Sequence, residues 1–175
     1  MMIKECVYDV VDTEQGKVLI AECMSSHKVV AIFLLDDDLD DQITELHDTY
    51  PTVQFSRGSP TQTAAIIQAI NTLDSTVKVN VVHKGNSVFG LQVLNAIQKI
   101  PKGQTRSYSE IAREIGNPDA VRAVAGACAR NNLAYIVPCH RVIGSSGNLS
   151  GYRWGISKKR SLLQAEGAQL NFAAM

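Results

Sequence analysis

Cys139 lies in the segment Pro138-Cys139-His140-Arg141, where a thiol, an imidazole and a guanidinium follow one another directly. A thiol attacks carbon only as thiolate, and a free pKa of about 8.5 leaves a few per cent ionised at neutral pH. His140 is the obvious base. Neighbours in an extended strand point to opposite faces, so direct contact between Cys139 and His140 requires a turn, which Pro138 favours. A bridging water is the other route. Glu166 is a candidate third member that would orient the imidazole. The same two residues also occur as an inert packed cysteine beside a histidine, or as the nucleophile and base of a hydrolase. No oxyanion hole is legible in the chain, which counts against the hydrolase.

The elements ahead of this segment suggest what it acts on. Ser107-Tyr108-Ser109-Glu110 is a capping-box pattern that predicts a helix to about Ile115, stopped by Gly116. Asn117 and Pro118 then supply an N-cap and a first-turn proline for a second helix, running to about Arg130. Two short helices joined by a short turn are the helix-turn-helix plan. A DNA-reading second helix usually carries Arg, Asn or Gln toward base edges. Here it offers Ala120, Val121, Arg122, Ala123, Val124, Ala125, Gly126 and Ala127. That face is nearly smooth and has little capacity to tell bases apart. It could approach a groove closely and push Arg122 into the base stack, as an enzyme needing access to one base at any sequence requires. It would equally suit a small-residue helix packed in a core, with Arg122 paired to a carboxylate.

Charge divides the chain in the same way. The 175 residues have a net charge of zero. Residues 1–80 hold five Lys/Arg and thirteen Asp/Glu, a balance of −8, whereas residues 81–175 hold twelve and four, a balance of +8. A basic C-terminal half fits a polyanion partner, although two solvated surfaces would give the same split. The chain is 45% hydrophobic, enough for a proper core. No run approaches the ~18 apolar residues of a membrane span, and the N-terminus lacks a signal-peptide plan. The four cysteines are scattered rather than set out as a disulfide framework. A reduced, cytoplasmic protein is the expectation.

Cys6–Val11 and Lys17–Cys23 read as an antiparallel hairpin around Glu14-Gln15-Gly16, with Val29–Leu35 as a third strand. Asp36-Asp37-Asp38 opens a capped, solvated helix through Leu39, Ile43 and Leu46. Tyr50–Pro60 reads as a loop, Thr61–Leu73 as a helix and Val77–Val82 as a short strand or link. A domain boundary is placed around His83–Ser87. Phe89–Ile100 is helical and ended by Pro101-Lys102-Gly103. Ile136–Val137 and Val142–Ile143 are strand-like pieces around the cysteine, and Ser157–Glu166 is a basic closing helix.

The wider C-terminal segment carries a resemblance. From Asn131 the chain reads Asn-Asn-Leu-Ala-Tyr-Ile-Val-Pro-Cys-His-Arg-Val-Ile, followed by Tyr152-Arg153-Trp154-Gly155 and by Lys159 through Leu162-Leu163 to Glu166. Together with Ser107-Tyr108 and Arg122-Ala123-Val124, this resembles the O6-alkylguanine-DNA alkyltransferases, or methylated-DNA–protein-cysteine methyltransferases. The likeness covers about residues 85–166. Residues 1–84 match in general layout only. Where many relatives show Phe-Gln-x-x-Val-Trp, this chain has Phe89-Gly90-Leu91-Gln92-Val93-Leu94, a departure in packing rather than chemistry.

The resemblance implies single-turnover repair of O6-alkylguanine in duplex DNA, with Cys139 as the acceptor of the alkyl group. His140 would act on the thiol through a water, with Glu166 behind it. Asn131 would brace the turn, and Tyr108 would support the flipped nucleotide and help protonate the leaving guanine. Arg122 would fill the gap in the stack, with Ala123, Ala125, Tyr108 and Arg130 at the DNA surface. Val137, Val142, Ser145, Tyr152 and Arg153 would form the base pocket. It also implies an α/β fold: residues 1–84 as an antiparallel β-sheet with helices (ribonuclease-H-like), and residues 85–175 as a mainly helical winged helix-turn-helix domain. No cofactor is expected for transfer, and no membrane; the chain is expected to act as a monomer. The alternative is a non-catalytic damage sensor or a helix-turn-helix regulator. Retention of Cys139 weighs against the sensor. No regulator domain precedes residue 1 of this sequence, so an inducible-regulator role is not expected.

A metal site is also legible. A two-residue turn at Glu14-Gln15 would set Cys6 opposite Cys23. With His27 and His83 these make two Cys and two His, a tetrahedral zinc set. Two packed thiols and two surface histidines are the alternative. Structural zinc occurs in some members of the family the chain resembles, at other spacings.

Overall fold

The computed structural model describes residues 2–35, 38–84 and 87–170. It divides into two compact units, Met1–Lys84 with Asn132–Ile136, and Gly85–Asn131 with Val137–Met175. Gly85 and Asn86, at the expected boundary, lie outside the described residues, as do Asp36 and Asp37 of the acidic run.

The first unit is built on a mixed four-stranded sheet of β1 (Glu5–Thr13), β2 (Gly16–Cys23), β3 (Val29–Leu34) and β4 (Gln54–Arg57), in the order β3-β2-β1-β4. Strands β1 (Glu5–Thr13) and β2 (Gly16–Cys23) form the expected hairpin, in the register that pairs Cys6 with Cys23. Strand β3 (Val29–Leu34) adds antiparallel to β2. All six residues of β3, and Val18 through Cys23 of β2, are buried and, Glu22 apart, apolar, so these strands run apolar on both faces rather than alternating. The free edge of β3 is covered: Val29 bridges to Val81, and Ile32 bridges to Leu133.

Helix α1 (Leu39–Thr49) is capped by Asp38, whose carboxylate accepts from the backbone N–H groups of Asp40 and Asp41. One expectation fails here. Residues 50–60 are not wholly loop, because β4 (Gln54–Arg57) adds parallel to β1, pairing Phe55 with Cys6. The sheet is therefore mixed rather than antiparallel. A helical crossover returns the chain in the same direction, which a hairpin cannot do. Only Val81 of the expected strand 77–82 pairs, and it does so as an isolated bridge. Helix α2 (Thr63–Thr72) completes this unit.

In the second unit, α3 (Val88–Gln98), α4 (Tyr108–Glu114) and α5 (Val121–Ala129) pack through Val93, Leu94, Ile97, Ile111, Ala112, Val124, Ala127 and Cys128, all buried. Leu94 fills its place in this core. The capping box is present: Ser107 Oγ accepts from Glu110 N at 3.0 Å, and Glu110 Oε2 accepts from Ser107 N at 2.6 Å. The start of α5 differs from expectation. Ala120 N–H donates to Asn117 O at 3.0 Å, so Asn117-Pro118-Asp119 is a turn and the helix starts at Val121. Asparagine first and proline second is the favoured order of a type I turn. Strands β5 (Arg106–Ser107) and β6 (Val142–Ile143) pair in parallel, and α6 (Ile156–Ala165) closes the unit. The expected strand piece at Ile136–Val137 is turn and bend instead. Among the described residues no helix is long and apolar enough to cross a membrane.

Candidate active site

Cys139 opens a single 3-10 turn, Cys139–Arg141. Pro138 sets it up. At φ −79° and ψ 59° it makes an inverse γ-turn, in which Cys139 N–H donates to Val137 O at 2.8 Å. A 3-10 turn has three residues per turn, so successive side chains diverge by about 120°. Cys139 and His140 therefore face different surroundings from adjacent positions.

Cys139 is buried at the wall of a cavity of about 430 Å³ lined also by Tyr108, Ala125, Cys128, Ala129, Ser150, Gly151, Tyr152 and Arg153. Asn131, at the end of the α5 segment, reaches it from the side. Its Nδ2 donates to Cys139 Sγ at 3.1 Å and to Val137 O at 3.1 Å, so one amide holds both the sulfur and the turn. Burial pushes the Cys139 thiol up, while the Asn131 hydrogen bond and the positive charges of Lys159 and Arg153 work to bring it down. Arg153 Nη1 donates to Asn131 O at 2.6 Å, tying the cavity loop to the same asparagine. Tyr108 donates to Ser150 O at 3.1 Å, and burial raises its phenol well above the usual range, so it stays protonated.

His140 is fully buried and its Nε2 lies 2.8 Å from Glu166 Oε1. An ionised carboxylate only accepts, so Nε2 carries the proton and Nδ1 holds the lone pair of the neutral ring. Burial depresses the His140 pKa against the pull of Glu166, which keeps the ring neutral. Glu166, just past the end of α6, also accepts from Arg141 and, at 3.5 Å, from Gly103 N–H. Burial pushes its carboxyl up, but the hydrogen bonds from His140 and Arg141 and the charge of Arg141 prevail and hold it at about 2.

Five expected site residues thus gather as two pairs, Asn131 on Cys139 and His140 on Glu166, with Tyr108 on the cavity wall. Tyr152, Arg153 and Ala125 also line the cavity. Val137 and Val142 are completely buried and do not line it, and Ser145 lies instead in a hollow with Ser107, Glu110 and Arg113. The resemblance suggested the two valines for the base pocket, and their side chains are packed in the core. Arg122 and Ala123 are exposed on α5, Ala125 is half-buried, and the exposed Arg130 lays its guanidinium over Gly126.

Three participants went unassigned on sequence. Cys128 is a second thiol on the cavity wall. Arg141 is buried against Glu166. Lys159, also fully buried, donates to Gly151 O at 3.0 Å and sits 5.7 Å from the centre of the Tyr108 ring. Burial lowers its pKa to about 8. One signal was available: Lys159, Leu162, Leu163 and Glu166 fall at i, i+3, i+4 and i+7, the inward stripe of α6.

The zinc set does not assemble. Cys6 and Cys23 face each other, but His27 Nδ1 lies 3.3 Å from Glu22 Oε1, and no group of three or more His, Cys, Asp or Glu among the described residues could hold a metal.

Residues 88–168 match the family model for the 6-O-methylguanine DNA methyltransferase DNA-binding domain. The solved O6-methylguanine methyltransferase of Mycobacterium tuberculosis is 34% identical, with a TM-score of 0.73 over 93% of each chain. The chain belongs to the O6-methylguanine DNA methyltransferase family. Another structure from that organism, of OGT in complex with DNA, is 33% identical, with a TM-score of 0.70 over 91% of this chain and 92% of that one. The bifunctional transcriptional activator/DNA repair enzyme Ada of Escherichia coli K12 is 41% identical over 162 residues, 91% of this chain and 45% of Ada. The chain spans about half the length of the curated relatives it matches, 45% of Ada and 51% of a Kluyveromyces lactis methyltransferase. Within the family, the fold described here is the mixed-sheet α/β unit followed by the helical unit that carries Cys139.

Proposed function

We propose that this methyltransferase-family chain repairs O6-alkylguanine in duplex DNA by moving the alkyl group irreversibly onto Cys139. The observation that carries this is the Asn131 amide on Cys139 Sγ at the wall of a 430 Å³ cavity, with the His140–Glu166 pair behind it. A cavity of that size is at the low end of those that take small ligands, and fits one flipped base. The M. tuberculosis OGT complex with DNA and the family match support DNA as the partner.

In the displacement, the Cys139 proton passes through a water to His140 Nδ1, and Glu166 stabilises the resulting imidazolium. The thiolate attacks the alkyl carbon, the S–C bond forms as the C–O6 bond breaks, and the guanine leaves with a proton from the Tyr108 phenol. The product thioether has no easy leaving group, so each molecule acts once and needs no cofactor. Arg122 enters the stack in place of the flipped guanine. Ala123, Ala125 and Arg130 lie along the groove, and Tyr152 and Arg153 hold the base.

In this reading α4, its turn and α5 form the helix-turn-helix, with β5 and β6 as the wing. Residues 85–175 are the DNA-binding acceptor domain, and residues 1–84 a ribonuclease-H-like supporting domain. The protein works in the cytoplasm as a monomer.

The test is intact mass after incubation with duplex bearing O6-methylguanine. The expected result is one added methyl on Cys139, absent in Cys139→Ala. An unchanged mass at saturating DNA would refute transfer and favour a damage sensor.

A further inference from the structure

The first unit holds a second pair of thiols that the repair chemistry does not use. Cys6 and Cys23 are both buried, and neither is in a disulfide. They are register partners in the β1–β2 ladder. The hydrogen bonds around them define which kind of pair they form. Met24 N–H donates to Glu5 O at 3.0 Å, so Glu5 and Met24 are a hydrogen-bonded pair. Cys23 N–H turns the other way, to Lys28 O at 2.9 Å. Hydrogen-bonded and non-hydrogen-bonded pairs alternate along an antiparallel ladder, so Cys6 and Cys23 occupy a non-hydrogen-bonded site. There the α-carbons are about 4.5 Å apart and both side chains leave the sheet on one face. That separation falls at the short end of the range a disulfide accepts, about 4.4–6.8 Å.

The surroundings do not make this a zinc site. Tetrahedral zinc takes four ligands. His27, the nearest candidate in sequence, is engaged with Glu22, which also accepts from Thr61 Oγ1 and Gln62 N–H. Among the described residues no group of three or more His, Cys, Asp or Glu could hold a metal, so the two thiols are suited to electron chemistry instead.

We propose that Cys6 and Cys23 are a redox pair that closes reversibly to a disulfide by exchange with a low-molecular-weight disulfide. Cys23 is the attacking thiol. It is the last residue of β2, its sulfur lies 3.3 Å from Ser25 Oγ, and the exposed Met24 and Ser25 follow it at the end of the sheet. The Cys23 thiolate attacks one sulfur of R–S–S–R, forming Cys23–S–S–R and releasing one thiolate. The Cys6 thiolate then attacks Cys23 Sγ, closing the protein disulfide and releasing the second. The two protein thiols lose two electrons and two protons, and the small disulfide is reduced to two thiols. The bond would staple the open end of the β1–β2 hairpin. Cys139 belongs to the second unit, and neither Cys6 nor Cys23 lines its cavity.

The full chain is incubated with oxidised glutathione, remaining thiols are blocked with iodoacetamide, and intact mass and peptide linkage are measured. Apart from carbamidomethyl groups on the remaining thiols, the expected product has lost two hydrogens, contains a Cys6–Cys23 cross-linked peptide, and regains those two hydrogens with dithiothreitol. The Cys6→Ser variant should stop with one glutathionyl group on Cys23. Recovery of both cysteines as blocked free thiols overturns the proposal. So does one equivalent of zinc that co-purifies with the chain and is lost in Cys6→Ser.

Discussion

Arg141 meets Glu166 side-on, with Nε 3.1 and 3.0 Å from the two carboxylate oxygens and Nη2 2.7 Å from Oε1. The same Oε1 takes the His140 Nε2 hydrogen bond. One carboxylate therefore serves a permanent cation and a titratable ring. Arg141 also donates to Ile100 O at 2.7 Å, which fixes the guanidinium to the loop after α3. Removing one partner of a buried ion pair strands the other charge and costs about 3–5 kcal/mol. Arg141→Met should lose stability on that scale in denaturant unfolding, with an unchanged m-value. A loss no larger than a surface substitution gives would show that Glu166 does not depend on Arg141.

The same carboxylate sets an acid limit. Glu166 is held at about 2 against an ordinary value of 4.5. A depressed carboxylate contributes stability above its unfolded pKa and loses it as pH falls through its folded pKa. The contribution should be complete above about pH 4.5 and disappear toward pH 2. Glu166→Gln should be less stable than the parent at pH 7, and the gap should close across that window. A gap constant with pH would mean that the charge contributes nothing.

Lys159 bears on the Cys139 thiol as well as on the His140 ring. Its ammonium is among the charges that bring the buried Cys139 thiol down, and it is anchored to Gly151 O. Lys159→Met should move the pH profile of Cys139 alkylation toward higher pH and slow the reaction at pH 7 by on the order of tenfold, about one pKa unit. Lys159→Arg should restore part of the rate. An unshifted profile in Lys159→Met, whatever the rate, would confine the residue to packing.

The reach of the sequence can be judged on these residues. The hairpin register followed from turn length, and the capping box at Ser107 and Glu110 followed from four residues, because both are local. The family was legible because several separate segments agree in order and spacing. Strand β4 was missed because Gln54-Phe55-Ser56-Arg57 has one apolar residue and pairs with a partner about fifty residues away. Arg141 was missed for a different reason: a buried arginine reads as a surface cation until its carboxylate is found. The burial of Val137 away from the cavity was not legible because it follows from the γ-turn at Pro138, which no periodicity reports.

Gly103 tests the backbone around Glu166. Its φ is +82°, and a Cβ there would come within 3.1 Å of Glu166 O. Its N–H faces Glu166 Oε2 at 3.5 Å. Gly103→Ala would place a side chain in the left-handed region and crowd a backbone oxygen, at a cost of about 1–3 kcal/mol. The thermal midpoint should fall accordingly. An unchanged midpoint would show that the loop relaxes freely, leaving Glu166 to be positioned by α6 and Arg141 alone.

Variants on the exposed face of α5 would separate binding from chemistry in the proposed function. Arg122 and Ala123 are exposed and Ala125 is half-buried, while Val124, Ala127 and Cys128 are buried behind them. If the smooth face lies in a groove, a carboxylate there repels phosphates and a longer side chain holds the helix off. Ala123→Glu should weaken duplex binding at least tenfold and leave both the unfolding midpoint and the reaction of Cys139 with free O6-methylguanine unchanged. Arg122→Ala should slow repair in duplex far more than reaction with the free base, because only the duplex requires a base to leave its stack. Equal losses on the two substrates would remove Arg122 from base extrusion and leave it as one of the basic half's phosphate contacts.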